Sequence, residues 1–181
     1  MALGDSKTVG DTPWLVSLLS DLNANAEPGW TGTGSALGGS WVDLIAPQIG
    51  TVLNTFTPVG TVTDVLCNWG VNDVDRAGSD ETTFRTNYGI IIDAIHAKWP
   101  AATIRLTIPW KDGEPAGTFD TLAGYIGSIV ADHAPYTVLL DDERVWLKGS
   151  DNGASETVDG IHYSALGMSL AARAKREAMG Y

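Results

Sequence analysis

Thr61-Val62-Thr63-Asp64-Val65-Leu66-Cys67-Asn68-Trp69 is the run whose reading decides the fold. It is rich in β-branched residues and stands between Gly60 and Gly70, which predicts a strand bounded by turns. Ser79 or Asp80 then caps a long helix to Trp99, ended by Pro100. Thr103-Ile104-Arg105-Leu106-Thr107-Ile108 predicts the next strand, stopped at Pro109. A strand, a helix and a strand in this order make a βαβ unit, and so a parallel sheet.

The same alternation extends both ways. Downstream, a helix is predicted from about Thr118 to His133, a strand over Tyr136-Thr137-Val138-Leu139-Leu140, and a Ser164-capped helix to about Met179. Arg173, Lys175 and Arg176 fall near the end of that helix, where cations suit its dipole. Upstream, Met1 to Leu3 reads as the end of a first strand. Thr12 as N-cap and Pro13 at the first helical position open a helix to about Leu22. Residues 23–40 read as loop with room for a short strand, and Trp41 to about Phe56 as helix divided or kinked at Pro47. The expected fold is α/β: a three-layer α/β/α sandwich on a mainly parallel sheet of about five strands. It is expected as one domain over residues 1–181.

Composition narrows the function. The chain has 181 residues, enough for a substantial core. It holds 11 Lys and Arg against 22 Asp and Glu, a net charge of −11. Nucleic acid and anionic membranes both recruit basic surface, so neither is an expected partner. No apolar run approaches the roughly 20 residues of a membrane span. The 21 glycines, unaccompanied by repeats, point to tight turns and close backbone approaches. The single cysteine, Cys67, excludes an intrachain disulfide or a multi-cysteine zinc site and is expected buried and inert. Met1-Ala2-Leu3 runs straight into Gly4-Asp5-Ser6, so no signal peptide is read. The short start leaves the expected localisation open between a cytoplasmic protein and one trimmed from a longer secreted or multidomain protein.

In parallel α/β folds the site lies outside the carboxyl ends of the strands. Ser6 follows the first strand there. A nucleophilic serine needs a histidine to take its proton. His96 and His133 sit in helices and are expected to be structural. His162 lies in Asp159-Gly160-Ile161-His162, between the last strand and the last helix, and Asp159 can hold its far ring nitrogen.

Taken together these pieces resemble a known family. Gly4-Asp5-Ser6, a glycine after the second strand, Gly70-Val71-Asn72-Asp73 after the third, and Asp159-Gly160-Ile161-His162-Tyr163-Ser164-Ala165-Leu166-Gly167 near the end are similar, in order and context, to the blocks of the SGNH (GDSL-type) hydrolases. The resemblance implies that family's flavodoxin-like fold. It implies Ser6 as nucleophile, His162 as general base and Asp159 as the acid that orients it. It implies an oxyanion hole from the N–H groups of Ser6 and the block-two glycine and the side chain of Asn72. Gly39 fits that glycine best, with Gly38 the alternative. Lys7, where the family often has an apolar residue, and the short first strand are departures that remove no catalytic group.

The implied activity is carboxylic ester hydrolysis through an acyl-enzyme, with no metal or organic cofactor. Short-chain acyl or acetyl esters are favoured, since no insertion is large enough to form a lid. A carbohydrate acetylesterase, an acyltransferase of the same fold and a non-catalytic glycan-binding module stay open, as does the oligomeric state. Trp30, Trp41, Trp69 and Trp110 lie in or beside strand-end segments, where they could wall a substrate pocket or simply pack in the core; Tyr163 is another candidate wall residue. Asp73 is expected to hydrogen-bond its loop, since two carboxylates with Asp75 are few for a hard cation. Asp141-Asp142-Glu143 reads as a solvated strand exit.

Overall fold

The computed structural model describes residues 1–4, 14–25, 29, 31–32, 34–36, 39–57, 61–74, 80–109, 116–140 and 162–181. Its elements run β1 (Ala2–Gly4), α1 (Trp14–Asn25), β2 (Gly34–Ala36), α2 (Val42–Ile45), a 3-10 turn (Ala46–Gln48), α3 (Ile49–Asn54), β3 (Asp64–Asn68), α4 (Val71–Val74), α5 (Glu81–Lys98), β4 (Thr103–Thr107), α6 (Ala116–Asp132), β5 (Thr137–Leu140) and α7 (Ala165–Ala178). The strands form one sheet in the order β2-β1-β3-β4-β5. Every neighbouring pair is parallel, as the βαβ pattern predicts.

Alternation along each strand divides the core into two layers. Leu3, Val65, Cys67, Ile104 and Leu106 pack with residues of α2, α3, α5 and α6. Ala2, Leu66 and Leu140 pack on the opposite side with Leu15, Leu18 and Leu22 of α1 and Met168, Ala171 and Ala172 of α7. All five residues of β3 are buried, the pattern of a strand covered on both faces.

Several boundaries differ from the sequence expectation for identifiable reasons. β3 begins at Asp64, because its partners start there: Asp64 pairs with Thr103 and Leu66 with Ala2. Trp69 has left the ladder to turn into the core. Pro47 does divide its segment, and the chain tightens into a 3-10 turn where that residue has no N–H to give. The short helix α4 stands where sequence indicated only loop. α5 is capped by Asp80, whose Oδ1 accepts from Thr83 N at 2.9 Å. Ser164 Oγ caps α7 by accepting from Gly167 N at 3.1 Å. Thr12 and Pro13 lie outside the described residues.

The basic end of α7 is more tertiary than its dipole suggests. Lys175 is fully buried, and Arg176 pairs with Asp21 of α1 while also donating to the Tyr181 carbonyl. A second internal pair joins two strands. Arg105 Nε donates to Asp64 Oδ1 at 2.7 Å, with the side chains only 14% and 10% exposed. Removing one partner of such a pair strands the other charge. Arg105→Met is therefore expected to destabilise the fold by about 2–4 kcal/mol, read as a lower urea midpoint. Adding Asp64→Asn to that variant is expected to restore most of the loss.

Candidate active site at the carboxyl edge of the sheet

β1 is the middle strand of the three that matter here. Its last residue, Gly4, is in register with Ala36 at the end of β2 and Asn68 at the end of β3. Three strands therefore end side by side, at Gly4, Ala36 and Asn68. Ser6 and Asp159 themselves lie outside the described residues, as does Gly38.

Gly39 and Asn72 are brought together by Ser40. Asn72 Nδ2 donates to the Ser40 carbonyl at 2.9 Å. Trp69 Nε1 donates to Ser40 Oγ at 3.2 Å. Asp73 Oδ1 accepts from Val42 N at 3.0 Å, satisfying one of the open donors at the start of α2. These three bonds stitch the β2–α2 loop to the β3–α4 turn. Asp73 thus bonds the start of α2, 31 residues earlier in the chain, where the sequence predicts a hydrogen bond to its own loop.

Two glycines permit the geometry. Gly39 has φ +68°, a left-handed conformation that side chains disfavour, with open space where a Cβ would stand. Gly70 has φ +134°, and a Cβ there would lie 2.9 Å from Leu122 Cδ2 and 3.1 Å from Pro109 Cγ.

His162 is exposed, two residues before the α7 cap. The direction of α7 sets the edge it occupies. Met179, just past the helix end, shares a cavity lining with Met1, Thr63 and Asp64 at the amino ends of β1 and β3. The opposite end of α7, about 21 Å away at 1.5 Å per residue, therefore lies toward the carboxyl edge. Tyr163 anchors this corner. It is buried in the layer holding Leu140 and Met168, so it serves as packing and not as a pocket wall.

The other histidines stay structural. His96 stacks on Tyr136 at 3.7 Å and 8°. His133 Nδ1 lies 2.8 Å from the Ile129 carbonyl. Both sit near the ends of helices that precede strands, at the amino edge of the sheet. Trp69 is 2% exposed and meets Tyr88 edge-on at 6.2 Å, so it is core and hub, not substrate platform. Trp99 is half-buried against the same core, and Trp41 is half-buried beside Ser40. Trp30, Trp110, Asp75 and Asp141 to Glu143 lie outside the described residues. Sequence gave no weight to Ser40. A serine before a helix reads as a cap, whereas this one spends its hydroxyl and carbonyl on distant partners.

Three cavities stand out among the described residues, one of them a cleft of about 350 Å³ between Glu81, Arg85 and Asp132, and the other two bear on the site. The larger, about 550 Å³, opens at the amino edge among Leu15, Leu18, Leu22, Leu66 and Met179. Size alone would favour it, but its one acidic side chain, Asp64, is already paired with Arg105, and strand carboxyl ends are where parallel sheets place chemistry. The smaller, about 260 Å³, adjoins the β3–α4 turn between Asp73, Val74, Phe84, Leu122 and Tyr125. Among the described residues no three His, Cys, Asp or Glu side chains gather where a metal ion could sit.

No protein-family model and no curated protein matches the sequence. Solved structures do match. An acetylxylan esterase of Geobacillus stearothermophilus superposes with TM-score 0.78 at 18% identity, over 99% of this chain and 93% of that one. A carbohydrate esterase family 3 protein of Talaromyces cellulolyticus gives 0.77 at 18% identity, over 99% and 94%. A candidate GDSL-like lipase of Parabacteroides merdae gives 0.77 at 16%, over 99% and 94%. The fold is that of the SGNH hydrolases. A catalytic mutant of the Geobacillus enzyme replaces a serine by alanine.

Burial pushes the Cys67 thiol up to about 12, so it is not available as a thiolate nucleophile. Iodoacetamide is expected to leave Cys67 unmodified in the native protein and to label it after denaturation, as read by mass spectrometry. Gly39→Ala is expected to cost about 1–2 kcal/mol through backbone strain alone. Gly70→Ala is expected to cost about 2–4 kcal/mol, since strain and a clash add. Thermal melts of the two variants compare them directly.

Proposed function

We propose that this protein is a serine carboxylic ester hydrolase acting on acetyl or other short-chain acyl esters, with the 181 residues working as one hydrolase unit. The observation that carries this is the position of β1. Gly4 ends between the loop of Gly39 and the turn of Asn72. Two Cα steps of 3.8 Å confine Ser6 to within about 8 Å of Gly4. That short tether supports Ser6 as the nucleophile of a site that would also use Gly39 and Asn72.

In this mechanism Ser6 Oγ attacks the ester carbonyl carbon while His162 accepts the hydroxyl proton. Asp159 holds the imidazole and stabilises its cationic form. The carbonyl oxygen becomes an oxyanion and is received by the N–H groups of Ser6 and Gly39 and by Asn72 Nδ2. Collapse of the intermediate breaks the ester C–O bond, and the leaving alcohol takes the proton from His162. Water then loses a proton to His162, attacks the acyl-enzyme and releases the acid, returning the proton to Ser6. Each step uses this chain's side chains and water.

A carbohydrate alcohol is favoured for the substrate by the likeness to an acetylxylan esterase and a family 3 carbohydrate esterase. The smaller cleft beside Asp73, about 260 Å³, suits a short acyl group better than a long one.

Hydrolysis of p-nitrophenyl acetate, butyrate and octanoate and of acetylated xylooligosaccharides tests the proposal. The acetyl esters are expected to react fastest. Ser6→Ala is expected to abolish turnover, and Asn72→Ala to lower kcat by about 10²–10³. Turnover that survives in Ser6→Ala would sink the mechanism. Glycan binding without any turnover by the wild type would mark a binding module, and acyl transfer to an added alcohol in preference to water would mark a transferase.

A further inference from the structure

Trp69 is an unexpected neighbour for an oxyanion donor. It is a bulky residue just before Gly70, it is buried, and its indole N–H is spent on a serine 29 positions earlier in the chain. The reason lies in what Ser40 does next. Asn72 Nδ2 carries two N–H groups that diverge in the plane of the amide. One donates to the Ser40 carbonyl. The terminal torsion of an asparagine is soft and broad when nothing holds it. Once one N–H is tied, the direction of the other is fixed.

The Ser40 carbonyl can steer Asn72 only if the Ser40 peptide is itself held. It is gripped on several sides. Its fully buried hydroxyl accepts from Trp69 Nε1. Two residues on, Val42 N donates to Asp73 Oδ1. Asp43, next in α2, accepts from Asn87 Nδ2 of α5 at 2.9 Å. Trp69 in turn is wedged edge-on against Tyr88, which stands edge-on to Phe84 at 5.6 Å. A rigid column thus runs from α5 through Trp69 to Ser40 and ends on the Asn72 amide.

We propose that Trp69 and Ser40 are positioning residues that aim the free N–H of Asn72 at the oxyanion. This rests on the esterase reading above, and it assigns work to two residues outside the serine, histidine, aspartate, glycine and asparagine set. Neither touches substrate. Their effect is on preorganisation, so it appears in kcat and not in KM.

The test is kcat and KM for p-nitrophenyl acetate in Ser40→Ala, Trp69→Phe, Asn72→Ala and the double variants, with a thermal melt of each. Ser40→Ala is expected to lower kcat about tenfold with KM changed by less than about twofold, a smaller loss than removing the donor. Trp69→Phe is expected to match it, and combining the two to add little. In the Asn72→Ala background, Ser40→Ala is expected to change kcat by less than about twofold, because the group it aims is gone. A tenfold loss that persists in that background would mean general structural damage and would overturn the proposal. So would wild-type kcat in Ser40→Ala, a small enough change to judge the matter even where Trp69→Phe does not fold. Wild-type kcat in Asn72→Ala would remove Asn72 as donor and overturn the proposal with it, whereas no turnover by the wild type would instead overturn the esterase reading on which the proposal stands.

Discussion

β3 is hydrogen-bonded on both edges and packed on both faces, and the rest of the molecule is arranged by that burial. Asp64 to Asn68 pair with β1 on one side and β4 on the other. Val65 and Cys67 need one apolar layer, and Leu66 needs another. A parallel neighbour cannot be reached by a tight turn, so each crossover carries a helix that supplies one of those layers. The Asp64–Arg105 pair sits within this arrangement and ties β3 to β4 where the strands begin.

The same strand decides where chemistry can happen. As β3 ends, Trp69 turns into the core, Gly70 takes a backbone shape closed to other residues, and Asn72 and Asp73 face the loop after β2. Gly70 also allows close approach to Leu122 and Pro109, so the turn is locked against α6 and the end of β4. Its side chains then bond Ser40 and Val42 beyond the end of β2. A turn tied this way fixes the place of Asn72, the proposed oxyanion donor. The candidate base on the α7 side is held differently, through burial of its neighbour Tyr163 and the Ser164 cap.

Much of this is legible in the chain because the signals are local. Asp80 and Ser164 cap helices by bonding a backbone N–H three residues on, which a sequence displays directly. Pro47 interrupts a helix because the donor is missing from its own residue. Other features depend on partners that local pattern does not name. Arg176 looks like a cation placed for a helix dipole, yet its partner Asp21 is 155 residues away. Lys175 reads the same way and is fully buried.

The sequence by itself determined the order of strands and helices along the chain and the parallel sheet, because periodicity, caps and breakers act over a few residues. Only the tertiary structure decided that Trp69 is a hub and not a substrate wall, that His96 and His133 lie at the amino edge, and that Ser40 joins two loops. The first and last of those outcomes rest on contacts spanning 29 to 32 residues, Trp69 with Ser40 and Asn72 with Ser40. Such contacts exist only once the sheet has set the strands side by side and the loops leave its edge together.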